Sequence, residues 1–289
     1  MLTHPLLPKL RELKLSGMLE TLEARTQLAQ ETPLSPTEFL ALLLDDEIER
    51  REQGRLLRQE REAGFESPKR LSQFDFSAAP TLSRTEVLEM ASCQFIARRQ
   101  NWLVYGPTGT GKSHLATAIG FEAIKQGMRV VAGPTHHLIA DLIGSRGTPL
   151  YVRRLRRLVA CDLLILDDFG LRSFVLSGAE ELYEVIRLRY EKGSILLTSN
   201  RAPTEWPAVF GDGLIASAAL DRLTHHAHLT CIEGASYRQR SRRGEPPQGH
   251  LPASQASRDA SGSKDASGSK DASGSKDASG SKDASGGKA

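Results

Sequence analysis

Apolar residues in the first sixty positions recur at three- and four-residue steps, the spacing of one face of an α-helix. The two groups that follow this spacing are Leu10, Leu13, Met18, Leu19 and Leu22, and then Phe39, Leu40, Leu43 and Leu44. Between them lies the segment 31–36, where Ser35 and Pro36 are suited to cap and begin the second helix. The pattern predicts a small helical module over residues 1–70.

After residue 76 the pattern changes to short apolar runs that alternate with helical segments. The predicted strands are 101–105, 129–132, 163–166, 194–198 and 228–232, and the clearest predicted helices are 112–125 and 177–190. The run 163–166 is wholly apolar, which is typical of a strand buried on both faces of a sheet. Strands that alternate with helices predict an α/β fold, with a mainly parallel sheet covered by helices, over residues 71–243.

The end of the chain has a different composition. From Asp259 onward it repeats Asp-Ala-Ser-Gly-Ser-Lys and contains no large apolar residue. Such a segment cannot bury enough apolar surface to offset the conformational entropy lost on ordering. We therefore expect residues 244–289 to form a disordered, low-complexity tail that contributes nothing to the folded core.

Charge and cysteine usage narrow the class of protein. The net charge is +3, so a surface for nucleic acid must be local rather than spread over the molecule. Cys93, Cys161 and Cys231 are far apart and form no Cys-x-x-Cys pair, which indicates a reducing cytoplasm rather than a disulfide framework or a zinc site. No apolar run is long enough for a signal peptide or a bilayer span, so we expect a soluble cytoplasmic protein with no membrane partner.

A phosphate-binding loop follows the first predicted strand. Residues 106–113 match Gly-x-x-x-x-Gly-Lys-Ser, directly after an apolar strand and at the start of a helix. The glycines allow a tight turn whose N–H groups point at a triphosphate, and the helix N-terminus adds partial positive charge. Lys112 is expected to reach the β- and γ-phosphates, and the Ser113 hydroxyl to ligate Mg²⁺. The predicted ATP-binding set is Gly106, Pro107, Thr108, Gly109, Thr110, Gly111, Lys112, Ser113 and His114.

An acidic pair ends the apolar run 163–166. Asp167 and Asp168 stand where carboxylates of a parallel sheet lie beside bound phosphates. Asp167 is expected to hold Mg²⁺, through water, because magnesium keeps much of its hydration shell. Asp168 is expected to orient or deprotonate the attacking water.

Two further clusters contain residues that could bind DNA or a metal ion. On a helix, Arg153, Arg156 and Arg157 share one side, and a row of this kind suits DNA phosphates; a solvated or ion-paired basic face is the alternative. The neighbouring His225 and His226, with His228, lack a cysteine or acid at ligand spacing. They are therefore interpreted as surface or packing histidines, as is the pair 136–137.

The order of these motifs resembles that of AAA+ ATPases. The phosphate loop and the acidic strand are followed by the run 196–200, Leu-Leu-Thr-Ser-Asn. Closer similarity, covering about residues 5–243, is to IstB-type transposition helpers, relatives of the DnaC-type helicase loaders. It rests on Leu-Lys-Leu-Ser-Gly-Met at 13–18, Asp-Asp-Phe-Gly at 167–170, Leu-Asp-Arg-Leu-Thr-His-His-Ala-His at 220–228 and Ser-Tyr-Arg at 236–238.

The resemblance implies roles for residues that the motifs alone leave open. Asn200 would sense the γ-phosphate, Arg238 would be a second sensor, and Arg222 would reach the ATP of a neighbouring subunit. Phe74 and Phe76 would wall the adenine pocket, with core packing as the alternative. Asp168 replaces the glutamate of many AAA+ proteins, and its shorter side chain lies farther from the water, so hydrolysis is expected to be slow. The region after Asn200 is too short for the full helical lid of most AAA+ proteins.

The sequence thus predicts an ATPase that binds ATP and Mg²⁺ and self-associates into an oligomer or filament on double-stranded DNA. The resemblance implies that it assists a transposase in target selection and insertion, as part of a mobile element. A replicative helicase loader is the first alternative. A small-molecule kinase is the second, but Asn200, Arg222 and the lack of an arginine-rich lid count against it.

Overall fold

The computed structural model describes residues 6–234 and 236. Three helices come first: α1 (Leu6–Glu12), α2 (Ser16–Glu31) and α3 (Pro36–Ala63). The Ser35 side chain accepts a hydrogen bond from the backbone of Glu38, whose own side chain accepts one from the backbone of Ser35. This capping box, with Pro36 in the first helical turn, confirms the predicted start of the second long helix.

Helices α2 and α3 approach closely at Gly17. A Cβ atom at this position would lie 2.7 Å from the backbone oxygen of Asp46, closer than a side chain tolerates. The Gly17 N–H donates to Oε2 of the buried Glu47 at 2.7 Å, and Arg25 pairs with the carboxylate of Asp46. The Ser-Gly-Met segment of the sequence therefore permits close packing of two helices, around a small core of Met18, Leu22 and Leu43.

The remaining elements alternate between strands and helices, with two 3₁₀ turns at Leu71–Gln73 and Phe76–Ala78 before them and a third at Pro203–Glu205. The strands are β1 (Asn101–Tyr105), β2 (Val130–Pro134), β3 (Leu163–Phe169), β4 (Ser194–Ser199) and β5 (Ala227–Cys231). The helices are α4 (Arg84–Ala91), α5 (Gln94–Ala97), α6 (Lys112–Lys125), α7 (Thr135–Ile143), α8 (Pro149–Ala160), α9 (Leu176–Arg189), α10 (Pro207–Phe210) and α11 (Gly213–Thr224). Each predicted strand and helix is present, with ends shifted by no more than a few residues.

The five strands form one sheet in the order β2-β3-β4-β1-β5, and all neighbouring pairs are parallel. Successive residues of β3 enter different cores, because side chains alternate across a strand. Leu163 and Ile165 join the core under α4 and α6, whereas Leu164 and Leu166 join the core under α7, α9 and α11. Burial on both faces explains the wholly apolar run 163–166 and confirms the predicted α/β class.

The topology positions the carboxyl ends of β1, β3 and β4 side by side, with β4 between the strands that carry the phosphate loop and the acidic pair. The predicted boundary between residues 1–70 and 71–243 stays a prediction. The predicted tail, 244–289, lies outside the described residues. Within residues 6–234, no helix is both long and apolar enough to cross a bilayer.

Candidate functional site

The loop between β1 and α6 contains backbone conformations that favour glycine, among them those of Gly106 and Gly111. Gly106 has φ 144°, and a Cβ there would lie 2.1 Å from the carbonyl oxygen of Ile232, after β5. Gly111 has φ 95° at the N-cap of α6, where an added Cβ would press on the ring of Phe74 at 3.0 Å. Both positions lie in the region that L side chains avoid. The loop therefore packs closely against Ile232 and Phe74 in a conformation that requires glycine.

Lys112 is the first residue of α6, and its side chain is buried within the loop. Its Nζ donates a hydrogen bond to the Pro107 carbonyl at 2.6 Å, and the buried Thr110 hydroxyl donates to the same oxygen at 3.0 Å. The Lys112 amine therefore lies within the loop at the N-terminus of α6. The partial positive charge of this helix end also favours an anion.

The two motifs predicted to share a metal ion are in contact. The Ser113 hydroxyl, in the first turn of α6, donates to Oδ1 of Asp167 at 2.9 Å. The same Oδ1 accepts from the Thr198 hydroxyl on β4, and the Asp167 carbonyl accepts from Thr135 at 2.8 Å. Asp167 is thus fixed from three elements, α6, β4 and α7. Thr198 and Thr135 were not among the predicted site residues, because nothing in the linear sequence brings them to Asp167.

Asp168 differs from its neighbour in exposure and backbone shape. It has φ 52°, a left-handed conformation that is strained for a residue with a Cβ, and its N–H donates to the Thr198 hydroxyl at 3.1 Å. The residue is exposed and faces the same cavity as Asn200, which follows β4. The candidate base and the candidate γ-phosphate sensor therefore open onto the same cavity.

A cavity of about 780 Å³ lies at this edge of the sheet. Its lining includes Thr108 through His114, both aspartates and Asn200, so the structure brings together most of the predicted nucleotide and catalytic residues. The volume lies in the usual range for small-ligand pockets. Gly106, Pro107, Arg222 and the arginines of α8 are not among its lining residues in the described part of the chain.

One wall of the cavity comes from the segment that follows α3, of which the resemblance singled out Phe74 and no other lining residue. Its lining residues are Gly64, Phe65, Glu66, Ser67, Lys69, Gln73, Phe74 and Asp75. Phe74 is buried and lines the cavity, whereas Phe76 packs edge-on against Phe74, with ring centroids 5.1 Å apart. The segment shows no motif in sequence; only the fold brings it over the phosphate loop.

The environment of His114 favours its neutral form. Burial lowers the pKa of its imidazole, and Nε2 lies 3.0 Å from the Arg70 carbonyl. Its ring packs edge-on against Phe74 at 5.5 Å. A neutral histidine in this position supports the aromatic wall of the cavity.

Arg222 lies at the other end of the sheet, in the last turn of α11. Its guanidinium donates to the Ala218 carbonyl at 2.7 Å and sits 5.6 Å from the ring centre of Tyr183. It lines a small crevice beside Asn101 and Ile195, which stand at the starts of β1 and β4. This arginine therefore belongs to a surface distinct from the cavity of its own chain.

The basic row on α8 is exposed. Arg153, Arg156 and Arg157 face solvent, and the Arg157 guanidinium also donates to the Glu62 carbonyl at 2.8 Å. Among the described residues, no ion pair involves any of the three. Leu158 is buried beneath the helix, so α8 presents its charges outward.

The remaining predictions concern Arg238 and the histidines. Arg238 lies outside the described residues, so its role as a second sensor stays a prediction. His228 stacks on Trp102, with centroids 4.8 Å apart, and contacts the Gln100 side chain at 3.2 Å. His136 stacks on Phe174 at 4.3 Å. For these two histidines the structure agrees with packing.

Comparison of the sequence with known proteins finds similarity to ATP-binding proteins of insertion sequences. The family model for the IstB-like ATP-binding protein matches residues 8–245. An ATP-binding protein of an insertion sequence in Mycobacterium tuberculosis is 38% identical over 236 residues, which is 81% of this chain and 94% of that protein. The ATP-binding protein of insertion sequence IS21 from Pseudomonas aeruginosa is 36% identical over 240 residues, which is 83% of this chain and 91% of that protein.

Among solved structures, the replication initiator DnaA bound to AMPPCP and single-stranded DNA is similar, with a TM-score of 0.50 and 25% sequence identity. The similarity covers 60% of this chain and 52% of that chain. It supports the AAA+ assignment of the fold.

Proposed function

Because this chain belongs to the family of IstB-like ATP-binding proteins, we propose that it is the helper ATPase of a transposase. In this proposal the protein binds ATP with Mg²⁺ and assembles with further copies on double-stranded DNA. It then presents that DNA to the transposase. ATP binding favours the assembled state, and hydrolysis releases it.

The observation that carries the ATP- and Mg²⁺-binding part of the proposal is the contact between Ser113 and Asp167 below the phosphate loop. Mg²⁺ prefers hard oxygen ligands and keeps much of its hydration shell. The Ser113 hydroxyl fits as a direct ligand, and the Asp167 carboxylate fits as an acceptor for a metal-bound water. When bound, the ion would neutralise charge on the β- and γ-phosphates. Lys112 would neutralise charge from the other side of the loop.

Hydrolysis needs a positioned water and a compensating positive charge. Asp168 and Asn200 open onto the same cavity, which supports complementary roles for the two side chains. Asp168 accepts the proton of the water, and Asn200 senses the γ-phosphate. The positive charge is proposed to come from Arg222 of a neighbouring copy. A monomer would then hydrolyse ATP poorly, so turnover would depend on assembly.

The proposed DNA contact is the exposed row on α8. Three outward guanidinium groups, unpaired with acids among the described residues, suit phosphates of any sequence. The insertion-sequence relatives favour a transposition role, whereas the DnaA relative is bound to single-stranded DNA and belongs to replication. The two roles differ in DNA preference and in the protein partner.

Both differences can be measured on the full chain. Electron microscopy and sedimentation with ATP, ADP or no nucleotide should show assembly on duplex DNA only with ATP, and single strands should compete poorly at matched salt. Co-purification should recover a transposase. Capture of the replicative helicase together with a single-strand preference would instead establish a helicase loader and leave ATP binding intact.

A further inference from the structure

Three side chains with metal-binding atoms meet at the end of the sheet opposite the ATP cavity. The potential ligand atoms of Glu191, His225 and His226 all lie within 4.8 Å of one another, and the three residues are exposed. Glu191 follows α9, whereas the two histidines lie between α11 and β5. The distance along the chain explains why the sequence pattern showed histidines without an acid.

The backbone directs these groups to one point. Neighbouring residues ordinarily point their side chains apart, but His226 has φ 58°, and its ring centre lies 3.8 Å from that of His225. Glu191 also has φ 58°. A left-handed backbone is unfavourable for a residue with a Cβ, so surrounding contacts must maintain both conformations.

Asn101 joins the segment that carries the histidines to β4, the strand that follows the turn of Glu191. Its side-chain amide donates to the Leu223 carbonyl at 2.9 Å, and its side-chain oxygen accepts from the Ile195 N–H at 2.9 Å. Its backbone N–H donates to the His226 carbonyl at 3.3 Å. The turn that holds Glu191 is closed by a hydrogen bond from the Gly193 N–H to the Arg189 carbonyl at 3.0 Å. The approach of the acid to the histidines is therefore built into the fold.

We propose that Glu191, His225 and His226 bind a transition-metal ion of the Zn²⁺ class, with water completing the coordination. Two imidazoles and one carboxylate are an established set of zinc ligands. Imidazole nitrogens are poor ligands for Mg²⁺, which prefers oxygen. Ligands in a tetrahedral site with bonds of about 2.1 Å lie about 3.4 Å apart, so closure needs movements of the order of 1 Å. Exposed side chains make such movements by rotation.

Tyr190 is positioned to orient one ligand. Its hydroxyl lies 2.7 Å from Nδ1 of His225, so that nitrogen can donate to the tyrosine while Nε2 binds the ion. Hydrogen bonds of this kind fix the tautomer and ring direction of metal-bound histidines. Tyr190 is thus a positioning residue rather than a ligand.

The site also borders the crevice that contains Arg222. A bound ion would connect the turn after α9 to the end of α11 and so hold the helix turn that carries this arginine. An effect on ATP hydrolysis therefore rests on the proposed role of Arg222, whereas metal binding itself does not.

The test uses the full chain without a histidine tag, freed of metal and titrated with Zn²⁺ against a chromophoric chelator. We expect one ion per chain and a loss of affinity of at least about tenfold in His226→Ala and in Glu191→Gln. Tyr190→Phe should weaken binding by about tenfold, and His137→Ala, an exposed histidine elsewhere, should leave it unchanged. Unaltered ATP affinity and circular dichroism in each variant would show that the fold is intact.

Co²⁺ provides an independent readout because its visible absorption depends on coordination. Intense d–d bands, lost in His226→Ala and without thiolate charge-transfer absorption, are expected for nitrogen and oxygen ligands. Zinc affinity that is equal in His226→Ala, Glu191→Gln and the unchanged chain would overturn the proposal. A thiolate band would overturn it as well, since it would assign the ion to a cysteine.

Discussion

Ser113 Oγ donates a hydrogen bond to Asp167 Oδ1 at 2.9 Å and so joins the first turn of α6 to the end of β3. The two strands that lead to these residues are not neighbours, since β4 lies between β1 and β3. The side chain of Thr198 on β4 completes the connection by donating to the same oxygen. The phosphate loop and the acidic strand therefore form one site through the intervening strand.

Lys112→Ala should remove most ATP binding, because the amine that faces the phosphates is lost. A hydrogen bond to a charged group contributes about 1.5–3 kcal/mol, so the dissociation constant should rise at least about tenfold. Calorimetric titration with ATP and Mg²⁺ measures this. Lys125→Ala, at the other end of α6 in a surface pair with Glu122, is the matched control. Equal affinity in both variants would contradict the assignment of the loop.

Asp168→Asn should retain ATP binding but lower the hydrolysis rate by roughly 10²–10⁴-fold, the range for loss of a general base. The amide preserves size while removing the group that accepts a proton. Phosphate release under saturating ATP and DNA is the measurement, with Asp141→Asn on α7 as the control. A variant that hydrolyses ATP at the normal rate would exclude Asp168 as the base.

Arg222→Ala should bind ATP normally and hydrolyse it about 10³-fold more slowly, because in the proposed mechanism its positive charge is supplied to a neighbour. Mixing it with Lys112→Ala should restore part of the activity, since the first variant has an intact pocket and the second an intact arginine. Arg187→Ala, exposed on α9 and paired with Glu184, is the control. If mixed oligomers form without recovery at any ratio, catalysis between subunits is ruled out.

Replacing Arg153, Arg156 and Arg157 by alanine should weaken duplex binding equally for all sequences. Three lost phosphate contacts should reduce the slope of log affinity against log salt by about 2.7. The charge-matched control replaces three cations that form ion pairs elsewhere, Lys125, Arg129 and Arg187. A slope that changes equally in both triple variants would indicate a general charge effect rather than a contact surface.

The contact between α2 and α3 should be sensitive to acid. Hydrogen bonds from Arg25 to the Asp46 carboxylate, at 2.7 and 2.9 Å, lower the pKa of Asp46 from 3.8 to about 2. A depressed pKa in the folded state stabilises the protein above the unfolded value, and this contribution is lost as pH falls from about 4 to about 2.

Asp46→Asn should therefore lower the free energy of unfolding by roughly 1–2 kcal/mol at pH 7, and the difference from the unchanged chain should vanish near pH 2. Urea unfolding at several pH values measures it. Asp45→Asn removes the same charge one residue away, on an exposed position, and should have a smaller effect. A pH-independent difference would assign the effect to packing instead.

The features that are encoded in continuous segments could be predicted from the sequence alone. Periodicity predicted the helices and strands, because the side chains of one element follow its own repeat. The loop 106–113 predicted a phosphate site, since its glycines, lysine and helix start are consecutive. The capping pair of Ser35 and Glu38 is local for the same reason.

The contacts between distant segments became evident in the folded protein. The order of the strands brought Thr198 to Asp167, and the packing of α2 on α3 explained Gly17 as a point of close approach. The turn after α9 brought Glu191 to His225 and His226. Such contacts depend on the topology and on burial over the whole domain. Neither can be predicted from the residue spacing within a single segment.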